Sequence, residues 1–296
     1  MFEGFKQLQL QTSDPEVKIN LRYGGSGPAV LLLHGNPLTH VTWHQVAPLL
    51  AKDFTVVCSD LRGYGDSSKP KGLTDHSNYT FRRMAQDQVE VMQQLGFNEF
   101  FLVGHDRGAR TAFRMALDHP ERVKKFAAVD IVPTYTVWQD MNLEKGLQLY
   151  HWFFMAQPYD FPEKLLCSDI GYYMKKKLEK HMHGQGGMDP ETIAEYFRCA
   201  TPEQIHGVCE DYRAAATIDY EMDKADFEAE RKIGCPVLVI WGDKSHVQTS
   251  KPREVWPQYA SNIFDMCSVP AGHYPQQQAA EAVYQNLCRF LKSAPD

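Results

Sequence analysis

The sequence predicts an α/β fold, with a mostly parallel sheet, helices on both faces and an inserted helical cap. Two observations carry that expectation. Short apolar runs alternate with segments of helical period, the pattern of strands joined by crossover helices. One stretch, from Pro133 to about Arg231, interrupts the alternation with aromatic, charged, helix-patterned sequence and no convincing buried strand. A chain of 296 residues is long enough for one large core plus an inserted unit. The expected division is 1–133 for the first part of the core, 134–231 for the cap and 232–296 for the rest of the core.

Taken in order, the strand candidates are Ala29–Leu33, Phe54–Ser59, Phe100–Val103, Phe126–Val129 and Val237–Trp241, with a weaker one from Ile263 to Val269. Helical spacing marks Phe81–Leu95, stopped by Gly96, then Thr111–Leu117, ended before Pro120, and the terminal amphipathic stretch Ala279–Leu291. Within the cap, Gln157-Pro158, Gly184–Gly187 and Thr201-Pro202 read as turns. There is no internal repeat and no low-complexity segment.

Composition narrows the function classes. Hydrophobic residues make up 43% of the chain, enough for a sizeable core. A net charge of −6 argues against nucleic-acid binding, which needs a basic stripe. The one dense basic run, Lys175-Lys176-Lys177, reads as a solvated helix face. No signal peptide is expected at the N-terminus, and no apolar run approaches membrane-spanning length. Seven cysteines without a close pair fit buried free thiols in a reducing cytoplasm. No metal or cofactor is expected: the histidines are scattered, and His181 and His183 lie in a glycine-rich stretch without carboxylates at ligand spacing.

The chemistry is carried by three segments. Phe100–Val103 runs into Gly104-His105-Asp106-Arg107-Gly108-Ala109, a strand, a sharp turn with small residues and a helix start. That is a nucleophile elbow, with Asp106 where serine is usual. Earlier, Leu31-Leu32-Leu33-His34-Gly35-Asn36-Pro37 ends a strand in a loop of the kind that supplies one oxyanion-hole N–H, and Arg107, after the nucleophile, supplies the other. Near the C-terminus, Val269-Pro270-Ala271-Gly272-His273 places a histidine just past the last strand, suited to act as base. The orienting acid is expected at Asp130, closing one strand, in preference to Asp243, which follows another. Where an acid commonly sits after the later strand, this chain has Ser245.

A carboxylate nucleophile suits displacement at an sp³ carbon, forming an alkyl ester that a water activated by His273 then cleaves. Carbon–halogen bonds and epoxides both fit. A departing halide wants N–H and O–H donors; an epoxide oxygen wants an acid, commonly tyrosine.

The run His105-Asp106-Arg107-Gly108-Ala109-Arg110 resembles the fluoroacetate (haloacetate) dehalogenases of the α/β-hydrolase superfamily. So do Asp60–Gly65, Val129–Tyr135, Tyr150-His151-Trp152 and Glu210-Asp211-Tyr212-Arg213-Ala214. The resemblance implies hydrolysis of a small 2-haloacid, such as a haloacetate, to glycolate and halide, by a homodimer. It implies that Arg107 and Arg110 grip the substrate carboxylate, a paired fork at a helix N-terminus, and that His151, Trp152 and Tyr212 cradle the halide. On the alternative reading, Arg110 merely pairs with an acid of the cap. The chain departs from the family at Asn36, where an aromatic residue follows His-Gly, and around His181, where a tryptophan is expected. The asparagine form is seen in haloalkane dehalogenases, where it helps hold the halide. The runner-up function is epoxide hydrolysis with the same nucleophile and base, drawing acids from Tyr212 and from Tyr150 or Tyr172. A third reading is a catalytically silent receptor or scaffold.

Overall fold

The computed structural model describes residues 1–181 and 188–294. Eight strands form one sheet in the order β1-β2-β4-β3-β5-β6-β7-β8. They are β1 (Lys6–Gln11), β2 (Lys18–Gly25), β3 (Ala29–Leu33), β4 (Thr55–Ser59), β5 (Phe100–His105), β6 (Val123–Val129), β7 (Val237–Gly242) and β8 (Ile263–Val269). β1 pairs antiparallel with β2, and β2 antiparallel with β4; all other pairs are parallel. The central strands are buried along their whole length, as expected of parallel strands covered on both faces. Alternate residues feed different cores: Leu31 and Leu33 pack on one face, Val30 and Leu32 on the other.

Two strands are additional to the sequence expectation. β1, with the polar alternation Lys-Gln-Leu-Gln-Leu-Gln, lies at the edge of the sheet with its polar side chains exposed. β2 joins it to the body through residues half-polar and half-buried. The expected helices are present as α1 (Phe81–Gln94), α2 (Arg107–Asp118) and the C-terminal Ala280–Lys292. Thr80 caps α1 by accepting from Arg83 N. α2 begins four residues earlier than its apolar spacing suggested, because the turn before it takes a single residue, Asp106.

Between β6 and β7 the described residues contain helices only. They are α3 (Thr134–Gln139), α4 (Leu143–Gln148), α5 (Tyr150–Met155), α6 (Phe161–Ser168), α7 (Ile170–His181), α8 (Pro190–Cys199), α9 (Pro202–Ala216) and α10 (Ile218–Glu228). The turn expected at Gly184–Gly187, His183 and the side chain of His181 lie outside the described residues. None of the described helices is long and apolar enough to cross a membrane. All seven cysteines are free; Cys58, Cys199 and Cys209 are buried and the others half-buried.

Strand order reverses around β3: the chain passes outward to β4, then returns to place β5 on the other side of β3. Such a switch opens a crevice beyond the carboxyl ends of the strands. The loops after β3 and β5, carrying Gly35-Asn36 and Asp106, meet there.

Candidate active site

Asp106 is the one-residue turn between β5 and α2. Its backbone stands at φ 48°, ψ −117°, a strained conformation that points the side chain out of the elbow. Close packing holds it. A Cβ on Gly108 would lie 2.4 Å from the His34 carbonyl, and one on Gly35 would lie 2.4 Å from Cβ of Asp106. His34 braces the loop beneath: its Nδ1 donates to the Gly35 carbonyl at 2.9 Å and its Nε2 accepts from Leu61 N at 3.0 Å.

The Asp106 carboxylate is divided in function. Oδ1 accepts from the Asn36 backbone N–H at 2.9 Å. Oδ2 faces Nε2 of His273 at 3.7 Å. Burial alone would raise the pKa of this group. The nearby His273 imidazole, helped by the charges of His105 and Arg110, outweighs burial and holds it well below the usual carboxylate range.

His273 follows β8, and its Nδ1 meets Oδ2 of Asp130 at 2.6 Å. Asp130 closes β6 and is fully paired: Oδ1 accepts from Gly242 N at 2.8 Å and Oδ2 also accepts from Ser245 Oγ at 2.6 Å. Asp243 is exposed and accepts from Ala271 N at 3.2 Å. The end of β7 thus supplies a hydroxyl that steadies the acid. Burial pushes the His273 pKa down, but Asp106 and Asp130 on its two sides prevail and lift it to about 9. His246, whose ring centroid lies 5.1 Å from that of His273, goes the other way: burial drops it to about 3.

The two arginines differ. Arg107 is tied to the insertion, donating from Nε to Asp211 Oδ2 at 2.8 Å and from Nη2 to both the Asp211 carbonyl, at 2.9 Å, and its Oδ1. Its guanidinium stacks between Phe81 and Tyr212, at 4.6 and 4.3 Å from the ring centroids. Arg110 donates from Nη1 to the Val132 carbonyl at 3.0 Å and to Thr134 Oγ1 at 3.1 Å, and lies 4.7 Å over Trp152. Burial lowers its pKa to about 10. Nη1 of Arg107 and Nε of Arg110 are buried with no hydrogen-bond partner, a cost that a bound anion would remove. Among the described residues no acid of the insertion pairs with Arg110; Asp211 pairs with Arg107 instead.

His151 and Trp152 come from α5 and Tyr212 from α9, all three buried. Their rings are grouped around Tyr212, with centroids 5.7 Å from His151 and 6.1 Å from Trp152. Asn36 Nδ2 donates to Tyr212 Oη at 3.4 Å, linking core to insertion. Tyr150 and Tyr172, the other acids considered for an epoxide, are 52% and 61% exposed. The neighbouring Tyr173 instead buries its hydroxyl.

Among the described residues two clusters bring three ligand-type atoms within 4.8 Å of one another. In Asp130–His246–His273 the carboxylate is already filled by donors. In Glu163–His206–Glu210 both carboxylates pair with Arg213. The 860 Å³ cleft over that second cluster contains none of the residues around Asp106.

Residues 28–280 match the alpha/beta hydrolase fold family. The chain is an α/β-hydrolase. It is 44% identical to a fluoroacetate dehalogenase from Burkholderia sp, over 99% of this chain and 96% of that one. This α/β-hydrolase is also 29% identical to a soluble epoxide hydrolase from Corynebacterium sp., over 90% and 91% of the two chains. A solved alpha/beta hydrolase structure from Nostoc sp PCC 7120 superposes with a TM-score of 0.95 at 48% identity, covering 99% of this chain and 100% of that one.

The sequence did not indicate Asp211, Tyr64, Ser245 or His246 as site residues. Tyr64 and Asp211 lie inside motifs that carried the family resemblance, which was the only signal for them.

Proposed function

We propose that this α/β-hydrolase removes the halide from small 2-haloacids, haloacetates first, through an ester on Asp106. The observation that carries the reading is an ionised, buried Asp106 beside two arginines with unsatisfied N–H groups. A neutral epoxide gives Arg110, which touches only neutral acceptors, no counter-charge; a carboxylate does.

Oδ1 of Asp106 is engaged by Asn36 N, so Oδ2 attacks the halogen-bearing carbon. The carbon–halogen bond breaks and the electron pair leaves with the halide, which His151, Trp152 and Tyr212 receive through N–H and O–H donors. Arg107 and Arg110 hold the carboxylate so that the carbon lies in line. Water then adds to the aspartyl carbonyl carbon, giving its proton to His273, while Asn36 N and the Arg107 backbone N–H stabilise charge developing on Oδ1. Asp130 orients His273 and offsets its positive charge. Collapse returns the Asp106 carboxylate and glycolate, and the proton leaves His273 for solvent. The balance is one water consumed and one proton and one halide released.

In this reading the helical insertion, residues 134–231, is a cap over the crevice. The enzyme works in the cytoplasm, where seven free thiols stay reduced. It works as a homodimer, for which Leu143, Leu147, Tyr150 and Phe153 offer an exposed apolar row on α4 and α5. Sedimentation of wild type against Leu147→Glu tests that contact, and a monomeric wild type would exclude it.

The activity is tested by incubating pure protein with fluoroacetate, chloroacetate and an aryl epoxide, assaying halide and diol. Halide release from the haloacetates is the expected result. Diol alone would transfer the assignment to the epoxide reading, in which Tyr212 serves as acid. No product from any of the three would favour a silent scaffold.

A further inference from the structure

Helix α2 carries three arginines at positions i, i+3 and i+7, so Arg107, Arg110 and Arg114 form one row along the face turned toward the insertion. All three are buried. The outer two are each met by carboxylates of the insertion. Arg107 is held by Asp211 of α9, and Arg114 by Asp223 and Asp226 of α10. The middle one has only neutral acceptors, Val132 O and Thr134 Oγ1; among the described residues no carboxylate lies within 4 Å of it. The row reads as three cationic positions, of which the outer two are in contact with carboxylates of the insertion and the middle one faces the charge of Asp106, which does not touch it.

Asp211 does more than balance charge. It takes two donor positions of Arg107, Nε and Nη2, and leaves Nη1 alone without a partner. Its Oδ2 is itself fixed by the Tyr64 hydroxyl at 2.6 Å, from the core loop after β4. The next residue along α9 is Tyr212. One turn of the insertion therefore places a leaving-group donor and locks an arginine of the core.

We propose that Asp211 is a positioning residue that latches the insertion onto Arg107 and cancels its charge, so that Arg110 alone meets the charge of the substrate and the site takes a monoanion. This rests on the carboxylate-grip reading given above. The latch makes Arg107 a fixed, neutralised donor through Nη1, and makes closure of the insertion a condition for aligning the substrate.

The test uses the full-length enzyme with chloroacetate as substrate and acetate as an unreactive competitive inhibitor. Asp211→Asn keeps the shape and removes the charge. The expected result is a kcat about tenfold lower, because the guanidinium is no longer held in place, together with acetate inhibition about tenfold tighter, because a second cation is uncovered. Tyr64→Phe leaves the charges alone and should lower kcat a few-fold without altering acetate inhibition. Asp223→Asn, which opens the other latch on Arg114, should lower the melting temperature without tightening acetate. A purely structural Asp211 would behave like Asp223. Unchanged kcat in both Asp211→Asn and Tyr64→Phe, or acetate inhibition weakened in Asp211→Asn, overturns the proposal. Arg110→Leu separates it from its premise: acetate inhibition unaffected there would sink the carboxylate grip itself, whatever Asp211→Asn does.

Discussion

Oδ2 of Asp130 accepts two hydrogen bonds at 2.6 Å, one from Nδ1 of His273 and one from the Ser245 hydroxyl. With Nδ1 committed to the acid, the reactive nitrogen of His273 is Nε2, on the side of Asp106. In the free enzyme His273 is protonated at neutral pH, since its two carboxylates lift its pKa to about 9. In the proposed reaction, alkylation turns Asp106 into an uncharged ester and removes one of those two influences, so the imidazole becomes a better base at the moment a base is needed.

That relationship sets a pH dependence with two separable limbs. Alkylation needs only ionised Asp106, held well below the usual carboxylate range, and should be level from about pH 5 upward. Ester hydrolysis needs neutral His273 and should slow as pH falls below a midpoint lower than 9. Rapid-quench alkylation and steady-state turnover, measured across the same pH series, distinguish the steps; identical profiles would contradict the assignment. The sign for stability is opposite. A histidine whose folded pKa is raised stabilises the fold fully below its unfolded pKa near 6.5, and that contribution is lost as pH rises through 9.

His273→Asn should stop the second half of the reaction and leave the first. Mass spectrometry of the intact protein after exposure to chloroacetate should then show a carboxymethyl adduct on the Asp106 peptide, accumulating to one per chain. Product formed with no adduct at any time would exclude an ester intermediate.

Arg110→Leu should depress kcat/KM for haloacetates by about 100-fold or more, because losing one partner of a buried charged contact costs about 2–5 kcal/mol. Arg110→Lys should not restore it. An ammonium cannot reproduce a planar fork that spends Nη1 on Val132 O and Thr134 Oγ1 and keeps Nε free for the substrate.

Tyr212→Phe and Trp152→Phe should slow fluoroacetate more than chloroacetate. Fluoride is the stronger hydrogen-bond acceptor and the poorer leaving group, so it depends more on donors already in place. One donor lost from such a site costs about 2–4 kcal/mol, and chloride should feel part of that. Equal losses would mean that the rings shape the pocket without holding the halide. If neither substrate is affected, the cradle centres on Asn36, whose amide reaches Tyr212 Oη at 3.4 Å.

Gly35→Ala should damage activity beyond its effect on stability. The added methyl would sit 2.4 Å from Asp106 Cβ and 2.6 Å from its Oδ1. Overpacking of this kind costs about 1–3 kcal/mol of stability, read as a lower melting temperature. Alkylation should fall much further, since the crowded atoms are those of the attacking carboxylate.

The central strands were legible because parallel strands buried on both faces must be apolar throughout, as Ala29–Leu33 and Val237–Trp241 are. β1 was not, because an edge strand exposing its polar residues shows only a weak alternation. The front of β6 was masked by Lys124 and Lys125. Lys125 buries its stem while Nζ donates to the carbonyls of Phe290 and Ser293, a use of lysine that hydropathy does not register. In the site, Asp106 and His273 stand out because each follows a strand in a local motif. The bond between Arg107 and Asp211 spans 104 positions and joins core to insertion. No local pattern encodes it, so the sequence could raise an acid partner for Arg110 but not assign one to Arg107.

β6 and β7 are adjacent and parallel in the sheet, paired from Phe126 with Val237 to Val129 with Ile240. The whole helical insertion therefore stands where an ordinary crossover connection would do, and replacing it need not disturb strand register. His151, Trp152 and Tyr212 all belong to that segment, while Asp106, Asp130, His273 and Asn36 all follow strands of the sheet. In the proposed reaction, the groups that receive the halide and those that clear the ester thus come from different stretches of chain. Grafting residues 134–231 from a relative with another leaving group should transplant halogen preference while keeping the recipient's hydrolytic rate, provided that the graft brings an acid to the place of Asp211.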